Sequence, residues 1–265
     1  MKSSKARAGK RLRNPQGNNQ KTSASNAMPI PILMYHQIDI PPVRGTPLRG
    51  LTVAPKSFEW QMKLLRLQGY RGLSMRDLEP FLSGARVGKV VGITFDDGYQ
   101  NNVEHALPVL QRNGFTATCY GVSSMIGGTN VWDTGKVGAK PLMTLQDWRV
   151  WHAAGMDIGS HTCTHANLME LSDLDAQDQI TRSKYELEQA IGCEVHHFCY
   201  PYGWYQTKHQ NMVANAGYAS ATTTRRGRVP AGANAYELQR IMVAQSTNPL
   251  QFYLKIATKY EDRRA

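Results

Sequence analysis

Acidic side chains are missing from the first 27 residues, which carry seven basic ones: Lys2, Lys5, Arg7, Lys10, Arg11, Arg13 and Lys21. The chain has a net charge of +11, and setting those seven aside leaves +4, so the basic character sits mostly in this segment. Apolar residues are also nearly absent from it. A stretch of this kind cannot bury enough surface to offset the entropy of ordering, so residues 1–27 are expected to form a disordered basic tail. The segment has no apolar run of the kind a secretory signal peptide needs, and nothing downstream is long enough to span a bilayer. These absences predict a cytoplasmic protein. The tail could give peripheral contact with an anionic inner membrane or could simply solubilise the chain; nucleic acid is not an expected partner. Translation from Met28, just before the first strand, is a second reading of the same boundary.

Cysteine is scarce. Cys119, Cys163, Cys193 and Cys199 form no C-x-x-C pair, and with no export signal they are expected to be reduced thiols rather than a disulfide framework. No internal repeat or second domain is visible, and 265 residues are enough for one large core, so 28–265 is read as a single α/β domain.

Short apolar strands alternate with helical segments along that domain. Strands are expected at 31–36, 90–95, 115–120, 156–160, 197–200, 217–221 and 238–243. Helices are expected at 58–67, from Ser74 with Asp77 in a capping box, and at 102–113, 144–154, 172–191, 205–216 and 249–260. This alternation predicts a parallel sheet, and the number of units favours barrel-like closure.

Two motifs carry chemistry. Thr94-Phe95-Asp96-Asp97-Gly98 ends an apolar strand with adjacent carboxylates, where α/β folds place ligands. Like charges so close require a cation or a shared proton. His161-Thr162-Cys163-Thr164-His165 follows another short strand. Two imidazoles and one carboxylate would hold a divalent metal and leave a position open to water. Alone, an Asp-Asp-Gly is usually a turn and paired histidines are usually structural; their joint appearance after strands favours a metal hydrolase.

With Tyr200-Pro201-Tyr202-Gly203, these motifs resemble the polysaccharide deacetylases, the NodB-homology or carbohydrate esterase family 4 proteins, over roughly residues 30–245. The resemblance implies a distorted (β/α) barrel of the NodB-homology type and hydrolysis of N- or O-acyl groups from sugars with one divalent metal, usually zinc. It implies Asp97, His161 and His165 as metal ligands, Asp96 as general base, and the Tyr202 backbone N–H as a donor to the oxyanion.

Three departures stand out. Cys199 lies near the place of an Arg that orients the catalytic Asp. Ala221–Gly227 lacks an expected Asp, and Leu238-Gln239-Arg240-Ile241 replaces a motif that supplies the general acid. Some members begin with a Tyr-His strand, as Met34-Tyr35-His36 does, which makes His36 the expected acid; Arg240 or Arg225 could take over the orienting role. Trp132 and Tyr205 are candidate sugar-stacking residues. The substrate expected is an amino-sugar glycan, free or lipid-linked, in a bacterial surface-glycan precursor. The alternatives are a related amidase or esterase on a non-sugar substrate, or a glycan-binding protein without turnover.

Overall fold

The computed structural model describes residues 28–264; the expected tail at 1–27 lies outside the described residues. The main sheet contains β1 (Ile32–Tyr35), β4 (Arg71–Leu73), β5 (Val90–Phe95), β6 (Thr118–Gly121), β7 (Asp157–Ser160), β8 (His197–Cys199), β9 (Ser220–Arg226) and β10 (Leu238–Met242). The remaining strands, β2 (Gln37–Ile38) and β3 (Thr52–Val53), form a separate parallel pair. The helices are α1 (Pro55–Leu67), α2 (Met75–Leu82), α3 (Leu107–Asn113), α4 (Leu145–Ala153), α5 (Asp173–Ile191), α6 (Thr207–Asn215) and α7 (Pro249–Ala257). In the ring, strands β5 to β10 run side by side in sequence order, and β1 pairs with both β10 and β5 to close a parallel seven-stranded barrel. The short β4 lies outside the ring, beside the first half of β5. Among the described residues no helix is long and apolar enough to cross a membrane.

Period-two alternation gives this barrel two unlike faces. Tyr35, Phe95, Ile158 and Phe198 point outward into the layer of helices. There Phe95 lies 5.5 Å from Tyr35 and 5.8 Å from Trp151, ring centre to ring centre. The α1 helix contributes Phe58, Gln61, Met62 and Leu65, one face of a 3.6-residue period, and the buried Tyr35 hydroxyl donates to Gln61. The other face, inside the barrel, sets buried polar groups beside a smaller apolar cluster that includes Ile32, Tyr120 and Leu238. Thr118 donates to Asp157 at 2.6 Å, His197 bonds Ser220 at 3.0 Å, and Arg240 reaches across to β5. Gly159 has no side chain because Tyr120 fills the space, 2.3 Å from where a Cβ would stand.

Several elements differ from the sequence expectation at their ends. The strand expected at 217–221 runs from Ser220 to Arg226, because the segment before it caps α6. The helix expected from Asn102 opens with a π turn over Asn102–Ala106 and becomes α-helical at Leu107. Helix α6 starts at Thr207, where Gln206 and His209 form the capping pair, and α7 stops at Ala257. The α4 capping box of Thr144 and Asp147 forms as expected. The one at α2 forms only halfway: Ser74 accepts from the Asp77 N–H, but the Asp77 carboxylate is taken by the Thr116 hydroxyl at 2.6 Å.

Candidate active site

The carboxyl ends of β1, β5, β7 and β8 converge on one mouth. On β5, alternation sends Gly92, Thr94 and Asp96 inward. Asp97 would then point away, but its backbone turns to φ 74°, which brings both carboxylates to the mouth. On β7, Asp157, Gly159 and His161 share the inward face, and the turn that follows places Thr162 (φ 67°) and His165 (φ 59°) in the left-handed region. The turn is pinned from α5. The Gln179 side-chain oxygen accepts from the N–H groups of Cys163 and Thr164, each at 3.1 Å, and the Ala166 N–H donates to the Thr162 hydroxyl.

Asp97, His161 and His165 meet at a point. Asp97 Oδ1 lies 3.4 Å from His161 Nε2 and 3.3 Å from His165 Nε2, and all three residues are buried. His161 Nδ1 is 2.7 Å from the Cys199 carbonyl and donates to it, which turns Nε2 toward the carboxylate. Burial works against protonation of His161, yet Cys199 and the Asp97 carboxylate hold its pKa well above the usual range, so this nitrogen carries a proton unless a metal takes its place. The space between nitrogen and carboxylate must hold a positive charge, a proton or a metal ion. Asp97 Oδ1 has no hydrogen-bond partner. Burial works against ionisation of Asp97, yet His161 and His165 hold its carboxyl well below the usual range. Burial lowers the His165 pKa, favouring the neutral imidazole that a metal requires. Tetrahedral ligands at zinc-like bond lengths of about 2.0–2.1 Å stand about 3.4 Å from one another, so the donor set fits such an ion.

Asp96 has a counter-charge of its own. Arg240 grips it with a two-pronged pair, Nη1 to Oδ1 at 2.6 Å and Nη2 to Oδ2 at 2.8 Å. The same guanidinium donates to Thr94 Oγ1 at 3.0 Å, the Thr223 carbonyl at 2.9 Å and Cys199 Sγ at 3.1 Å. Burial would raise the Asp96 pKa, but Arg240 holds it below the ordinary value. Asp96, His161 and Cys199 also lie close enough together to suggest a second metal position. The guanidinium already supplies the positive charge there.

Each expected site residue can now be placed. His36 follows β1, and because Tyr35 pairs with Phe95, its side chain comes beside Asp96, Nε2 to Oδ2 at 3.9 Å. That is too long for a hydrogen bond and leaves both groups facing the mouth. Tyr202 adopts φ 60°, and its N–H makes no backbone hydrogen bond among the described residues. Its ring meets His165 edge-on at 4.6 Å, while Trp132 lies flat against His165 at 4.5 Å. Tyr205 has partners of its own. One face of its ring stacks on Tyr200 at 4.6 Å and its hydroxyl donates to Glu237, so packing takes one face of this candidate as His165 takes one face of Trp132. Of the two arginines, Arg240 reaches Asp96 and Arg225 instead pairs with Glu237. Sequence reasoning missed Gln179, for which no local signal exists, and Trp204, one residue beyond the Tyr-Pro-Tyr-Gly motif.

Comparison with known proteins agrees with this geometry. The polysaccharide deacetylase family profile matches residues 83–221. The protein YxkH of Bacillus subtilis (strain 168), whose name places it among polysaccharide deacetylases, is 31% identical over 217 residues, covering 81% of this chain and 71% of its own. The poly-beta-1,6-N-acetyl-D-glucosamine N-deacetylase of Staphylococcus epidermidis is 22% identical over 201 residues, covering 74% and 70%. Among solved structures, the Streptococcus pyogenes deacetylase PplD in complex with acetate superposes with a TM-score of 0.76 at 25% identity, covering 87% of this chain and 99% of that one. The chain belongs to the polysaccharide deacetylase family, and its class is that of carbohydrate deacetylases. His36 and Arg240 both fall outside the matched span.

Proposed function

We propose that this protein removes the N-acetyl group from an N-acetylhexosamine unit of an oligosaccharide or lipid-linked glycan precursor, with zinc held by Asp97, His161 and His165. The observation that carries the reading is the buried, unpartnered Asp97 Oδ1 between two imidazole nitrogens, next to a second carboxylate with a separate counter-charge. When bound, the metal would polarise the acyl oxygen and acidify the attacking water. Asp96, kept ionised by Arg240, takes the proton from that water on a lone pair the guanidinium leaves free. The Tyr202 N–H would donate to the acyl oxygen as it becomes an oxyanion when water adds to the acyl carbon. His36, on the other side of Asp96, gives a proton to the departing amine. Arg240 restores the orienting charge whose usual position is vacant, which favours an enzyme over a glycan-binding protein without turnover.

Acetate release from N-acetylglucosamine oligomers and lipid-linked glycans by the metal-loaded protein is the direct test; none from either class would sink the assignment. Asp97→Ala and His165→Ala should each abolish metal retention, measured by elemental analysis. Asp96→Asn should keep the metal and lose roughly 10²–10⁴ in kcat. Full zinc occupancy in the first two variants would disprove the ligand set.

A further inference from the structure

We infer that Trp204 is the stacking platform for a sugar adjacent to the one deacetylated, so that the substrate is an oligosaccharide engaged over more than one unit. This rests on the deacetylase reading above. Trp204 is 53% exposed, a large apolar area to leave in water. Its position gives the exposure a purpose. The Trp204 ring lies 5.2 Å from that of Tyr202, tilted by 33°, and Tyr202 abuts the proposed ligand His165 at 4.6 Å. Trp204 is thus two ring-to-ring steps from the reacting centre, and a sugar stacked on it is a neighbour of the unit whose acyl group is attacked. Of the other exposed aromatics among the described residues, Tyr202 belongs to this same patch, while Tyr185 lies on α5 and Tyr253 on α7.

The loop that presents Trp204 is rigid. The Gly203 N–H donates to the Tyr200 carbonyl at 2.9 Å, and the Trp204 N–H donates to the Pro201 carbonyl at 3.2 Å. Gly203 has φ 72°, and a Cβ there would stand 1.9 Å from Thr224 Oγ1, so β9 presses directly on the loop from below. The Thr224 hydroxyl also donates to the Tyr202 carbonyl. A loop held this way presents the ring without first paying to order its backbone. With the ring half in water, its indole N–H can donate to a sugar hydroxyl.

The experiment compares N-acetylglucosamine monomer and tetramer as substrates for the wild type, Trp204→Ala and Trp204→Phe, reading kcat and KM separately. The wild type should favour the tetramer. Trp204→Ala should lower the tetramer-to-monomer ratio of kcat/KM about tenfold, mainly through KM, and Trp204→Phe should recover most of it. An unchanged ratio in Trp204→Ala, or a wild type no better on the tetramer, would overturn the platform and leave the deacetylase reading intact. If the wild type releases no acetate from either substrate, that reading falls, and calorimetric tetramer binding decides the platform alone. Binding that is lost in Trp204→Ala supports it, and equal or absent binding overturns it.

Discussion

At the scale of single residues, the site depends on giving each of two adjacent carboxylates a different positive partner. Asp97 faces imidazoles, and Asp96 faces a guanidinium that arrives from a strand 144 residues later. Cys199 is part of the reason this works. Its small side chain, where the resemblance leads one to expect an Arg, leaves room for Arg240 Nη2 to pass at 3.1 Å. Replacing Arg240 by Met would leave Asp96 buried without a counter-charge, and burial then pushes its pKa up. In the intact protein the depressed pKa contributes stability above the ordinary carboxylate range, lost as pH falls through the lowered value. Arg240→Met should therefore move the acid limb of the kcat/KM profile to higher pH. It should also cost about 3–5 kcal/mol in denaturant unfolding near neutrality. An acid limb that stays in place would show that Arg240 does not control Asp96.

At the scale of elements, the mouth is built from strand ends whose backbones take unusual turns. Asp97, Thr162, His165 and Tyr202 all have positive φ without being glycine. Such conformations cost about 1–3 kcal/mol each and persist only where neighbours hold them. For the His turn, the principal brace is Gln179, on the second turn of α5. Gln179→Ala should weaken zinc affinity about 10–100-fold, read by competition with a chelator, while helix content stays unchanged. Affinity equal to the wild type would mean the turn holds itself. The motif His161-x3-His165 was legible because it is contiguous. Gln179 was not, because it meets the turn only when α5 packs back against it.

At the scale of the whole molecule, the helices cover an apolar outer surface of the barrel, and the interior sets buried polar groups beside a smaller apolar cluster. The cost of that interior shows at the closed end. His197 is fully buried, with Nδ1 bonded to Ser220 and Nε2 unpartnered, 3.7 Å from Glu79 and 3.9 Å from Asp157. Burial drives its pKa down to about 4, against the pull of Glu79. The folded protein holds this imidazole neutral while the unfolded chain protonates it near 6.5. Stability from this residue is therefore fully present above about pH 6.5 and declines as pH falls toward 4. His197→Gln should flatten the slope of unfolding free energy against pH in that window, by about 3 kcal/mol over its whole span. An unaltered slope would place the acid sensitivity elsewhere.

The barrel class, most of the strand and helix positions and the convergent Asp, His and Tyr candidates were readable in the chain because they depend on local pattern. Hydrophobic period marks the strands, and contiguous motifs mark where they end. Tertiary structure decided which distant side chains become neighbours. His36 stands beside Asp96 because β1 closes the ring against β5 in a register that pairs Tyr35 with Phe95. Arg240 reaches Asp96 across the interior, and Tyr205 meets Tyr200 and Glu237. Local sequence encodes periodicity and turns, whereas contacts between strands far apart in the chain are set by register and closure, which exist only once the barrel has formed.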